Sequence, residues 1–137
     1  MRKSFHTNIE IRYRDTDSMG HVSSPLYYDY MQTAYLEYMH SILEIPKMKK
    51  LPHIMVKTSC EYISQAKYGD KLRVFSHITK FGTKSFEMEH VMHIDNESRE
   101  VIAKATSVHV MYDYEKQATQ AVPEEFKQTV MAFQGAL

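Results

Sequence analysis

Between residues 26 and 42 apolar side chains recur at helical spacing: Leu26, Tyr27, Tyr30, Met31, Ala34, Tyr35, Tyr38, Met39 and Ile42. Positions three and four apart share one face, so the run predicts an amphipathic helix of about five turns. The stripe is wide, as on a helix nearly surrounded by other structure. Ser24 is placed to cap the helix and Pro25 to open it, because proline's missing N–H would have no partner in a first turn. Ile45-Pro46 stops it. Elsewhere apolar and polar residues alternate by twos, the period of a half-buried strand. Residues 5–14 predict a first strand through Ile9, Ile11 and Tyr13. Residues 53–64, 71–81, 85–95 and 101–112 predict four more, with turns at Gly69-Asp70, Gly82 and Asn96-Glu97-Ser98. Phe86, Met88, Met92 and Ile94 share a face, with His90 among them. Ala103 and Ala105 are small enough to let the helix approach. Residues 124–133 predict a short helix after Pro123.

One strand, one helix and four strands imply an antiparallel sheet curled around a long central helix, α+β in class. The 137 residues form a single domain on this reading, with no repeat or linker. One helix covers only one face of a five-stranded sheet. The edge strands keep unpaired backbone groups, which points to self-association.

The loop before the helix carries the candidate chemistry. Asp15 and Asp17 lie beside a helix N-terminus, whose free N–H groups can receive a developing negative charge. A base next to an oxyanion site is the minimum equipment for acyl transfer. The spacing Asp15-x-Asp17-x-x-Gly20 begins like a calcium loop. Met19 stands where an oxygen ligand is needed, however, and Leu26 where the closing Glu should be. Asp15, Asp17 and His21 have no second ligand cluster to join, so no metal is assigned. Both Asp residues also fit an ordinary polar turn.

Composition narrows the field further. Lys plus Arg equals Asp plus Glu at 17 each, so no broad field selects nucleic acid. No apolar run reaches the ~18 residues of a membrane span, and residues 1–13 lack the apolar core of a secretory signal. The single cysteine, Cys60, precludes an internal disulfide and suits a reducing cytoplasm. It sits in a strand beside Thr58 and Tyr62 and reads as a small packing residue rather than a nucleophile. No GxSxG elbow is present, and 4 glycines offer no nucleotide loop, so no cofactor is assigned.

Tyr13-Arg14-Asp15-Thr16-Asp17, then Gly20-His21-Val22, Tyr27 and Tyr30, resembles the opening of the hotdog-fold acyl-CoA thioesterases, nearest to the 4-hydroxybenzoyl-CoA thioesterase-like family. The segment from Tyr62 to Leu72 resembles that family's strand-turn-strand, and Lys84-Ser85-Phe86 its next strand start. The resemblance covers roughly residues 5 to 113. It implies a hotdog fold, a homodimer or homotetramer, and an acyl-CoA or acyl-carrier-protein substrate hydrolysed to free acid and thiol. Asp17 is then the general base or nucleophile. N–H groups around Val22 to Tyr27 bind the carbonyl oxygen, Gly20 bends the loop, His21 shapes it or touches the thioester, and Asp15 holds it. Tyr27 lines the site, the strand holding His53, Ile54 and Met55 lines the acyl group, and Lys84 lies near the CoA phosphates. Two departures stand out. Ser23 replaces the usual Asn after Gly-His-Val, and Gln32-Thr33 replaces a mid-helix Glu. They motivate a second reading, a hotdog protein that binds an acyl thioester, or acts as a lyase or regulator, without hydrolysing it.

Overall fold

Five long strands pair in the order β1-β3-β4-β5-β2, every neighbour antiparallel. In the computed structural model, which describes residues 4–137, these are β1 (Phe5–Glu10), β2 (His53–Tyr62), β3 (Lys71–Phe81), β4 (Ser85–Ile94) and β5 (Val101–Asp113). The helix α1 (Leu26–Ile42) packs on one face of the sheet, and α2 (Glu124–Gln134) closes one end. A two-residue strand, β6 (Ala118–Thr119), folds back on Tyr112 and Asp113 and was not legible as a strand. The predicted elements are otherwise present, and the sheet wraps one long helix as expected.

Two boundaries moved for local reasons. β1 stops at Glu10 rather than residue 14, because residues Tyr13–Asp15 form a 3-10 turn. The Asp15 carboxylate holds that turn by accepting the Arg12 N–H at 3.0 Å. The helix starts at Leu26, with Pro25 in the capping position and no side-chain cap. Ser24 serves instead through its carbonyl, which accepts the Tyr27 N–H at 3.3 Å.

Two clusters fill the space between helix and sheet. Near the start of α1, Tyr27, Tyr30, Met31 and Ala34 meet Ala103 and Ala105 of β5. The alanines admit the helix backbone closely, as their size predicts. Toward the other end Tyr35, Tyr38 and Met39 meet Ile78, Phe86, Met88, Met111 and Phe126. Tyr38 and Met39 are fully buried, and each contributes roughly 1.5–3 kcal/mol of transfer free energy. Met88 and Met92 are core filling. Where β1 runs out, the Gln134 amide continues the ladder. It accepts the Ile78 N–H at 3.0 Å, donates to the Ile78 carbonyl at 2.7 Å, and accepts the Tyr38 hydroxyl at 2.7 Å.

The inner face also holds a polar belt. Along β5 the period-two run Ala103, Ala105, Ser107, His109, Met111 is buried. Ser76 meets His90 Nδ1 at 2.8 Å, His90 Nε2 meets Ser107 Oγ at 3.0 Å, and Ser107 Oγ meets His109 Nε2 at 2.8 Å. The His109 ring then stacks on Tyr35 and Phe86.

β2 is an open edge. Among the described residues it pairs only with β5, and its register shifts at Val56. Beyond that bulge the Ile63 N–H donates to the Ile102 carbonyl. Antiparallel alternation then turns the backbone of Lys57, Ser59 and Glu61 toward β5, and that of Thr58, Cys60 and Tyr62 outward. Val56, Lys57, Thr58 and Ser59 are exposed in the protomer.

Candidate active site

Two carboxylates two residues apart have opposite surroundings. Asp15 is buried at 1% exposure. Its Oδ2 accepts the Arg12 N–H and the Tyr30 hydroxyl at 2.9 Å, and its Oδ1 takes the Arg12 guanidinium at 3.0 Å. Burial alone would push the Asp15 carboxyl up. The Arg12 N–H, the guanidinium and the Tyr30 hydroxyl more than offset that, so the group sits below the usual carboxylate range. Every lone pair has a donor, which makes Asp15 a loop anchor, as expected.

Asp17 lies at the surface of the protomer. Its Oδ1 accepts the N–H groups of Met19 at 2.9 Å and His21 at 3.3 Å, an Asx turn that fixes the direction of the carboxylate. The Gly20 N–H closes the turn on the Asp17 carbonyl at 3.0 Å. Gly20 has φ +81, and a Cβ there would meet nothing within 4 Å, so backbone conformation rather than crowding calls for glycine. His21 is half-buried and bridges to Lys67 through the backbone.

The expected oxyanion donors are fewer than the sequence suggested. The Val22 N–H donates to Ala66, that of Ser23 to Asp15, and that of Leu26 to Ser23. Val22 is buried as well, so its role is packing. The Ser24 N–H has no partner among the described residues, and the Tyr27 N–H makes only the long contact to Ser24. The Tyr27 side chain is core rather than site lining: it is 3% exposed, its hydroxyl accepts the Ala66 N–H at 3.4 Å, and its ring meets Tyr30 and Tyr62 edge-on. Only its backbone reaches the helix start.

His53, Ile54 and Met55 come together in a cavity of about 550 Å³, which Gln32, Tyr35 and Leu36 of α1 also line. The volume is within the usual range for a small ligand. His53 Nδ1 meets the Tyr35 hydroxyl at 3.1 Å, while His53 Nε2 has no partner among the described residues. Burial holds the His53 imidazole down to about 4, so it is neutral at neutral pH. A larger cavity of about 690 Å³ runs along β1 and the Tyr68–Leu72 turn. It contains neither Asp17 nor the helix start.

The two halves of the expected site do not meet within one protomer. The Asp17 loop lies at the Tyr62 end of β2, where the Tyr62 hydroxyl donates to the Ser24 carbonyl and Val22 pairs with Ala66. The His53 cavity lies at the opposite end of that 10-residue strand, about 30 Å away at ~3.3 Å per residue. Lys84 is exposed, reaches Thr119 Oγ1 at 3.5 Å, and does not line the cavity. Cys60 is half-buried and burial pushes its thiol up, away from nucleophile behaviour. No group of three His, Cys, Asp or Glu among the described residues is arranged to hold a metal. No helix among them is long and apolar enough to cross a membrane.

Sequence reasoning missed the Ser76–His90–Ser107–His109 belt and the unsatisfied His53 Nε2. The period-two run of β5 was the available signal for the belt.

Comparison with known proteins agrees with the fold. A family model described as the thioesterase-like superfamily matches residues 11–130. The uncharacterized protein YsmA of Bacillus subtilis (strain 168) is 22% identical over 130 residues, 93% of this chain and 86% of that protein. A thioesterase from Thermus thermophilus, solved in complex with coenzyme A and Zn, superposes with a TM-score of 0.85 at 23% identity, covering 96% of this chain and 95% of that one. 4-Hydroxybenzoyl-CoA thioesterase from Pseudomonas sp. strain CBS-3 superposes at 0.80 and 20% identity, covering 93% and 99%. A mutant form of 4-hydroxybenzoyl-CoA thioesterase complexed with 4-hydroxybenzoyl-CoA gives the same values. These likenesses show the hotdog fold.

Proposed function

The chain belongs to the thioesterase-like superfamily, and we propose that it hydrolyses an acyl-CoA thioester to free acid and CoA, with Asp17 as general base or nucleophile. The observation that carries this reading is the exposed Asp17 carboxylate, its direction fixed by its Asx turn in the loop that leads into α1, where the Ser24 N–H has no partner among the described residues. Attack on the thioester carbonyl puts negative charge on oxygen. The Ser24 N–H, with that of Tyr27 at the helix start, is the available donor for it.

A second copy of the chain completes the site. Thr58, Cys60 and Tyr62 present N–H and C=O groups along the β2 edge that pair with nothing among the described residues, and pairing two such edges about a two-fold axis satisfies both. Antiparallel pairing centred near Thr58 sets the Tyr62 end of one strand beside the His53 end of the other. Asp17 of the second copy then faces the His53–Met55 cavity, and two equivalent sites form per dimer. The cavity walls hold the acyl group, and the thioester lies between acid and helix tip. The substrate carrier is CoA or an acyl-carrier protein, and a reducing cytoplasm remains our expectation for the compartment.

Thiol release across a panel of acyl-CoAs tests this. Asp17→Asn is expected to lower turnover by about a hundredfold or more; full turnover in that variant removes the assigned base. The second reading, binding without hydrolysis, is favoured by Gln32. This amide lines the cavity at the helix position where the resembling family often carries Glu. It prevails if no thioester is cleaved yet acyl-CoA raises the melting temperature.

A further inference from the structure

The cavity at the His53 end is basic on one side. Lys47, Lys49, Lys50 and His40 line it, and no Asp or Glu does. Lys47 is already engaged by Glu37 at 3.2 Å, and the Lys50 ammonium lies 5.1 Å from the Tyr114 ring centre. The Lys49 ammonium meets no carboxylate among the described residues. On the inner wall the Tyr35 hydroxyl, whose ionisation burial opposes, keeps its proton and can donate it to His53 Nδ1. His53 then carries its own proton on Nε2, a donor with no partner among the described residues. An unpaired buried donor is costly and gains when a ligand serves it. Between these polar walls run Leu36, Leu51, Ile54 and Met55.

An apolar passage with cationic and N–H donor groups and no carboxylate suits a chain that is hydrocarbon along its length and anionic at its end. We propose that the acyl group this protein takes ends in a carboxylate, the substrate being the mono-thioester of a dicarboxylic acid, with Lys49 and Lys50 as the specificity-determining cations. This rests on the thioesterase reading for the identity of the thioester. The anion is the shared chemistry, and its other source is the phosphates of CoA itself. The cations favour the acyl end because they border the same cavity as the His53–Met55 wall, where that reading puts the acyl chain.

The test compares adipoyl-CoA with hexanoyl-CoA, equal in length and differing in the terminal carboxylate. The wild-type protein is expected to favour adipoyl-CoA in kcat/KM by about tenfold or more, the size of one charged hydrogen bond. The double variant Lys49→Glu, Lys50→Glu is expected to collapse that ratio by a similar factor. A wild-type preference for hexanoyl-CoA, or no preference, overturns the proposal. So does an equal loss on both substrates in the double variant, which assigns the lysines to the CoA phosphates. Calorimetric titration of both thioesters into the Asp17→Asn protein gives the same comparison without turnover. If neither substrate is cleaved by the wild type, the hydrolase reading fails, and the titration still decides the cavity's preference.

Discussion

The two ends of the helix–sheet layer treat buried polar groups differently. At the Tyr27 end Asp15 is enclosed by the Arg12 N–H, the Arg12 guanidinium and the Tyr30 hydroxyl, which leave its carboxylate fully served. Thr7 Oγ1 and His93 Nε2, without partners among the described residues, lie out on β1 and β4, away from that loop. At the Tyr35 end His53 Nε2 and His109 Nδ1 are buried without partners among the described residues, and the cavity opens beside His53. A satisfied network fixes a shape, and that end anchors the loop that carries Asp17. Unsatisfied groups cost stability and persist where a ligand or a second chain serves them. The difference fits scaffold at one end and recognition at the other, and in the proposed dimer the β2 edge would join the two across protomers.

Breaking the join has the largest expected effect. Thr58 turns its N–H outward, so Thr58→Pro removes an edge donor while leaving the β2–β5 ladder intact. The protein is expected to become monomeric by sedimentation, to keep its circular dichroism, and to lose about a hundredfold or more of its thioester turnover, comparable to loss of the catalytic group. A monomer with full turnover would mean that one protomer holds a whole site, against the separation along β2.

Acid separates the two ends next. Burial holds His53 down to about 4; His90 and His109 go down to about 3 through burial, then the neighbouring imidazoles. All three lie below the 6.5 of an unfolded chain. The folded state therefore binds fewer protons. This contribution is fully present above pH 6.5 and is lost as pH falls from there, toward 4 for His53 and toward 3 for His90 and His109. Each site adds a slope of about 1.4 kcal/mol per pH unit, so three together approach about 4. Urea titrations at stepped pH are expected to show that slope between about pH 6 and pH 4. A flat profile over this window would mean that the histidines are not buried neutral. Asp15, held low, adds its own acid sensitivity only below the ordinary carboxylate range.

What the sequence revealed follows the same division. Helix and strands were legible because each buries one face, and burial leaves a period of 3.6 or 2 in the chain. The role of Asp15 was legible because a carboxylate in a turn has local partners. The histidine belt was hidden because Ser107 and His109 occupy inward positions of β5 with side chains that read as polar. The shortfall of oxyanion donors was hidden too, since the partners of Val22 and Leu26 come from loop closure and not from composition. The largest gap was spatial. Asp17 and His53 both stood out, yet only three-dimensional placement puts them at opposite ends of β2.

The smallest effects sharpen the comparison most, because one chemical change applied at both ends is expected to give two answers. Tyr30→Phe removes a hydroxyl from a closed network and leaves an Asp15 lone pair short of a donor, at about 1–2 kcal/mol. His109→Phe also replaces a polar ring with an apolar one. His109 Nδ1 already lacks a partner, and the ring is stacked between Tyr35 and Phe86, where phenylalanine packs equally well. The lost Ser107 contact at 2.8 Å leaves that hydroxyl its bond to His90 at 3.0 Å. The gain from deleting an unpaired buried nitrogen therefore offsets the loss, and stability at neutral pH is expected to stay within about 0.5 kcal/mol of wild type. Below pH 6 the His109→Phe protein is expected to be the more stable of the two, with its pH slope reduced by one site, about 1.4 kcal/mol per unit. Equal penalties for both substitutions at neutral pH would show that the two ends are equally satisfied, and the division between scaffold and recognition would fall.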